Sequence, residues 1–149
     1  YLNGEDVSGF IRTPEISNRA SDVSAMPCVR AYLLDMQRSM AASNNVIMDG
    51  RDIGTVVLPG ADLKIFLTAS AEARAMRRCK ELRESGLHVS LEKVLREIEE
   101  RDEHDMSRAA APLKCARDAV KLDTSVLTLE ESIDAVCVLI ADKLGVVNR

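Results

Sequence analysis

At 149 residues the chain has the length of about one domain, and its 46% hydrophobic and 30% charged content is that of a folded globular protein rather than a disordered one. A net charge of −4 and a pI near 5.3 argue against a protein that coats DNA or RNA, while leaving room for one nucleotide held by a few arginines. Cys28, Cys79, Cys115 and Cys137 are far apart and form no CxxC, so neither a zinc site nor a disulfide framework is expected. No apolar run reaches bilayer length and no secretory pattern opens the chain.

The first residue is Tyr1, and Asn3-Gly4 reads as the turn of a hairpin. A start inside a hairpin gives the expectation of a fragment. Thr13-Pro14-Glu15 then supplies an N-cap, a first-turn proline and an early acid, for a helix to about Ala25. A second helix is predicted from Pro27, with Val29, Leu33, Met36 and Met40 on one stripe, ending by Ser43-Asn44-Asn45. A third begins after Ser70 and stops at Gly86. A fourth begins after Ser90, with Leu91, Val94, Leu95 and Ile98 at helical spacing. The last opens on a capping box, Thr128 with Glu131, carries Leu129, Ile133, Val136, Ile140 and Leu144, and ends at Gly145.

Between the helices lie three short apolar runs: Val46 to Met48, Leu63 to Leu67 and Ala119 to Leu122. Their β-branched content predicts strands, and strands alternating with helices predict an α/β fold with a parallel sheet flanked by helices and buried on both faces. Residues 1 to about 26 read as an appended hairpin and helix, and 27 to 149 as the α/β core.

Three stretches could carry chemistry. Asp49-Gly50-Arg51-Asp52 follows a predicted strand, and in open α/β sheets ligands lie beyond the carboxyl ends of strands. Arg51 there could hold a phosphate in two parallel hydrogen bonds. Asp49 or Asp52 could accept from a base or hold Mg²⁺ through water. A sheet-end loop whose charges pair with each other fits this stretch equally well. On the fourth helix Arg101, Asp105 and Arg108 share a face by spacing. They could grip a phosphate and a ribose, although an ordinary solvated face, with Glu97 and Arg101 paired, is the commoner meaning. Arg74, Arg77, Arg78, Lys80 and Arg83 make the third helix basic. It could close over phosphates or be a surface balanced by Glu72, Glu81 and Glu84. Ser21 and Arg30 read as surface residues. His88 and His104 stand alone, without a triad or metal arrangement.

Together these stretches resemble the bacterial-type cytidylate kinases, from about Gly4 to Leu144. The resemblance is carried by Gly4-Glu-Asp-Val-Ser-Gly9, Ile11-Arg12-Thr13, Pro27-x-Val29-Arg30 and Asp49-Gly-Arg-Asp-x-Gly-Thr-Val-Val57. Lys64-Ile-Phe-Leu67, Glu72-x-Arg74-x-x-Arg77-Arg78 and Glu100-Arg-Asp-x-x-Asp-x-x-Arg108 extend it. It implies a P-loop nucleoside monophosphate kinase fold. Residues 1 to 26 would be the end of the monophosphate-binding insert, and lid helices would span about 70 to 108. It implies transfer of a phosphoryl group from ATP, with Mg²⁺, to CMP or dCMP, by a cytoplasmic enzyme of pyrimidine nucleotide metabolism. The full-length protein would be a monomer, without a nucleic-acid or membrane partner. Ser21, Arg30 and Asp52 would recognise cytosine, Arg51 and Arg108 the CMP phosphate, Arg101 and Asp105 the ribose. Arg77 and Arg78 would be lid arginines, and Asp49 an acid near the metal and phosphates. No GxxxxGK[ST] occurs in the 149 residues. The expectation is therefore that the ATP-binding segment is absent and that this chain alone does not turn over. A nucleotide-binding module without catalysis, another P-loop phosphotransferase and a helical interaction domain are the alternatives at this point.

Overall fold

In the computed structural model, the described residues are 1–11, 13–107 and 111–145. They fall into two compact units, Tyr1–Ile47 and Met48–Arg149.

The first unit opens on a two-residue hairpin turn. Leu2 and Glu5 exchange backbone hydrogen bonds of 2.8 and 3.0 Å around Asn3 (φ 52°) and Gly4 (φ 87°), both in the left-handed region that Asn and Gly tolerate best. Helix α1 runs Pro14–Ala25, and the Thr13 hydroxyl accepts from the Ile16 amide at 3.3 Å as its N-cap. Met26, in extended conformation, ends α1 and starts α2, Pro27–Ser43, where a proline again occupies the first turn. The two helices pack on each other. No described residue of α2 is fully buried.

The second unit is built around a small sheet. β1, Ile65–Thr68, pairs in parallel with β2, Val120–Asp123, in the register Ile65 to Val120 and Thr68 to Asp123. Helix α3, Ala71–Glu84, follows β1 with Ser70 as its N-cap, its hydroxyl accepting from the Ala73 amide at 3.1 Å. Gly86 at φ 79° turns the chain after it. Helix α4, Leu91–Ser107, packs against α3. Ala75, Cys79 and Val94 form the buried centre of this pair, with Leu82, Val89, Leu95 and Ile98 around them. Helix α5, Leu129–Leu144, opens on the complete Thr128–Glu131 capping box and closes on Gly145 in the left-handed conformation.

Two expectations are corrected. Val46 to Met48 is not a strand, and the sheet of the described residues has two strands rather than three. A strand exists only through a ladder partner, and among the described residues no strand pairs with this run, whose Ile47 is 97% exposed. The sheet is also not buried on both faces: no residue of β1 or β2 is fully buried, and Leu67 and Val120 are exposed. Of the α5 stripe, Val136 and Ile140 are half-buried, while Leu129, Ile133 and Leu144 stay exposed. The fold class remains α/β, helix-rich, with a small parallel sheet.

Candidate active site

A cleft of about 420 Å³ runs along the whole of β1, from Leu63 to Ala69, and its walls include Asp49, Gly50, Arg51, Arg74, Arg77, Asp102 and, just beyond β2, Thr124. A second, of about 340 Å³, shares Arg51, Arg74, Arg77 and Asp102 and adds Arg78, Glu81, Ile98 and Arg101. Residues far apart in sequence meet here because the parallel pair carries the ends of both strands to one side. Thr124, itself buried, locks those ends: its amide and hydroxyl both donate to the Thr68 carbonyl, at 2.8 and 3.1 Å.

The Asp49–Asp52 segment leads into a single π-helical turn, Ile53–Val57. The Asp52 carbonyl accepts from the amides of Thr55, Val56 and Val57, at 3.3, 2.8 and 3.2 Å. π-turns are rare and concentrate at functional sites. Gly50 is needed for local packing, since a Cβ there would lie 2.9 Å from Ile53 Cγ1.

The arginines differ in what holds them. Arg51 donates through Nε to Asp105 Oδ2 at 3.0 Å; Asp105 is buried, and the Arg51 side chain is half exposed. Arg74 forks onto Asp102, Nη1 to Oδ1 at 3.0 Å and Nη2 to Oδ2 at 2.6 Å, while its Nε donates to the Ala69 carbonyl at 3.1 Å. Arg77 reaches across to the β2–α5 loop, donating to the Thr124 carbonyl and hydroxyl and to the Leu127 carbonyl. Arg78 pairs with Glu81 at 3.1 Å one turn along. Arg101, exposed on α4, makes no ion pair among the described residues. Glu97 pairs not with Arg101 but with Lys93, at 3.9 Å.

The structure therefore brings Asp49, Arg51, Arg77, Arg78 and Arg101 to these two adjoining clefts, with Asp105 buried behind Arg51. Asp52 enters the π-turn directly after Arg51. Ser21 and Arg30 belong to the first unit, on α1 and α2. Arg108 lies outside the described residues. Arg101 and Asp105, expected on one face, differ in environment, one exposed and the other 4% exposed.

Two residues, Asp102 and Lys64, gain importance that spacing did not give them, and Arg74 gains a structural partner. Asp102 and Arg74 tie α4 to the end of β1, and Lys64 is buried at the start of β1. A lone lysine inside the apolar run Leu63–Leu67 was the available signal for Lys64.

Among the described residues no three His, Cys, Asp or Glu side chains gather as a metal-binding group. Mg²⁺ asks for less, one or two carboxylates with phosphates and water completing its shell. Asp49, lining the cleft beside Arg51, meets that requirement. No described helix is long and apolar enough to cross a membrane.

A cleft that carries Arg51, Arg74 and Arg77 beside a parallel strand pair has the chemistry to take a phosphorylated ligand. A family model for cytidylate kinase matches residues 1–142, and the chain belongs to the cytidylate kinase family. It is 51% identical over 144 residues to a cytidylate kinase of Magnetococcus marinus, covering 97% of this chain and 64% of that protein. It is 51% identical over 142 residues to one of Carboxydothermus hydrogenoformans, covering 95% and 64%. To one of Aeromonas salmonicida it is 49% identical over 144 residues, covering 97% and 63%. The chain thus spans just under two thirds of the length of these relatives.

Proposed function

We propose that this chain carries the monophosphate half of a cytidylate kinase, which transfers the terminal phosphoryl group of ATP to CMP or dCMP, giving CDP or dCDP. The observation that carries the reading is the convergence of Arg51, Arg74, Arg77, Arg78 and Arg101 on the adjoining clefts, joined to membership of the family. Arg51 holds the CMP phosphate, and Asp105 fixes the Arg51 guanidinium from behind so that its remaining N–H groups face the ligand. Arg108 is the second phosphate arginine. Arg101 serves the ribose, to which Asp105, buried as it is, contributes only through Arg51, and Ser21, Arg30 and Asp52 serve the cytosine. Arg77 and Arg78 stand on the lid helix α3, where they stabilise charge on the transferring group and exclude water.

Phosphoryl transfer asks the protein for positioning and charge compensation rather than for a nucleophile of its own. The arginines and the absence of a triad requirement agree with that. Asp49 would hold Mg²⁺, which would supply charge neutralisation at the ATP phosphates. The reading gives the cradle of the ATP phosphates to none of the 149 residues, which hold no GxxxxGK[ST] stretch. It places the enzyme in the cytoplasm, in pyrimidine nucleotide metabolism.

The test is a coupled assay of ADP release by the natural full chain with CMP, dCMP, UMP and AMP as acceptors. CMP and dCMP should give the highest kcat/KM. An enzyme that preferred AMP would overturn the reading.

A further inference from the structure

Lys64 is the only buried lysine among the described residues. A buried ammonium is retained only where partners compensate for lost water, and both of its partners are specific. Nζ donates to Asp118 Oδ2 at 2.6 Å and to the Pro59 carbonyl. Its alkyl chain crosses Gly54 so closely that a Cβ there would lie 3.3 Å from Lys64 Cδ. Its own carbonyl accepts from the Val120 amide at 2.9 Å, which anchors its backbone in the parallel ladder.

These contacts connect the sheet to the segment that lines the cleft. The alkyl chain lies against the π-turn at Gly54, and the ammonium holds the chain just beyond the turn at Pro59. The turn is in turn hung on the Asp52 carbonyl, one residue after Arg51. Asp118, mostly exposed, fixes the ammonium from the β2 side.

We propose that Lys64 is a positioning residue for CMP binding: by clamping Gly54 and Pro59 to the sheet it sets where Asp49, Arg51 and Asp52 stand in the cleft. Lys64 touches no nucleotide itself in this account, which rests on the CMP kinase reading above. Displacement of a substrate-holding group by about 1 Å can cost on the order of a hundredfold.

The experiment measures KM for CMP, KM for ATP and kcat in the natural full chain, for wild type, Lys64→Met and Asp118→Asn. Methionine keeps the alkyl length across Gly54 and removes the ammonium. Asp118→Asn removes the counter-charge at an exposed position, so it reports even where Lys64→Met does not fold. The expected result for Lys64→Met is a rise of about tenfold or more in KM for CMP with KM for ATP within about threefold of wild type. Asp118→Asn moves KM for CMP the same way by less. A purely structural role would reduce kcat through the active fraction and leave KM for CMP unchanged, and that result overturns the proposal. Wild-type KM for CMP in the variants that fold overturns it too. Failure of the wild-type protein to phosphorylate CMP would remove the reading beneath it, and the proposal with it.

Discussion

Arg74 and Asp102, 28 residues apart on α3 and α4, meet in a two-pronged ion pair with contacts of 3.0 and 2.6 Å. The third donor of the same guanidinium goes to the Ala69 carbonyl at the end of β1. One side chain thus fastens the sheet, the third helix and the fourth at the wall of the arginine cleft. Bidentate geometry is the kind that keeps an ion pair useful when it is partly exposed. Asp102→Asn should destabilise the protein by about 1–2 kcal/mol, between the values for exposed and buried pairs. A double-mutant cycle in urea with Arg74→Met should return a favourable coupling. Additive single-variant losses would show the pair to be incidental.

Arg51 and Asp105 divide their work by burial. Arg51→Met should weaken CMP binding by about ten- to hundredfold while leaving the weaker binding of cytidine, which has no phosphate, nearly unchanged, as loss of a charge-assisted phosphate contact requires. Calorimetry with both ligands checks it. Equal losses for CMP and cytidine would move Arg51 away from the phosphate.

Asp118 gives a pH signature. The hydrogen bond from the Lys64 ammonium, then its own backbone amide and the nearby positive charges of Lys64 and Lys143, hold its carboxyl below the usual range. A depressed folded-state pKa stabilises above the unfolded value, near 3.9, and that contribution disappears as pH falls through the folded value. Thermal melts should therefore separate wild type from Asp118→Asn at neutral pH and bring them together in strong acid. A gap that widened on acidification would contradict the assignment.

The α3–α4 pair should be the cooperative centre of the second unit. Val94→Ala should cost about 1–3 kcal/mol through lost burial and the cavity it leaves. Gly86→Ala, forced to keep φ 79°, should cost about 1 kcal/mol. Both are read from urea midpoints at unchanged slope.

Local signals made most of the helices legible. Thr13-Pro14, Ser70 with Gly86, and Thr128 with Glu131 and Gly145 each act within a few residues, and each cap is present in the structure. The supposed strand at Val46–Met48 failed because pairing is not local. The same limit hid the Arg51–Asp105 contact, 54 residues long, and the equally distant Lys64–Asp118 pair. Spacing put Arg101 and Asp105 on one face, but only packing decides that Asp105 is buried and Arg101 exposed. The π-turn escaped because nothing in Ile53–Val57 distinguishes five-residue hydrogen bonding from an ordinary loop. The Asp49–Asp52 stretch stood out in sequence, and the structure sets Asp49 and Arg51 in the cleft wall.

The most direct measurement is a calorimetric titration of the protein with CMP and, separately, with AMP. Selective CMP binding, lost on Arg51→Met, is the predicted result. AMP binding as tight as CMP, or tighter, would contradict the cytosine assignments of Ser21, Arg30 and Asp52 and the account built on them.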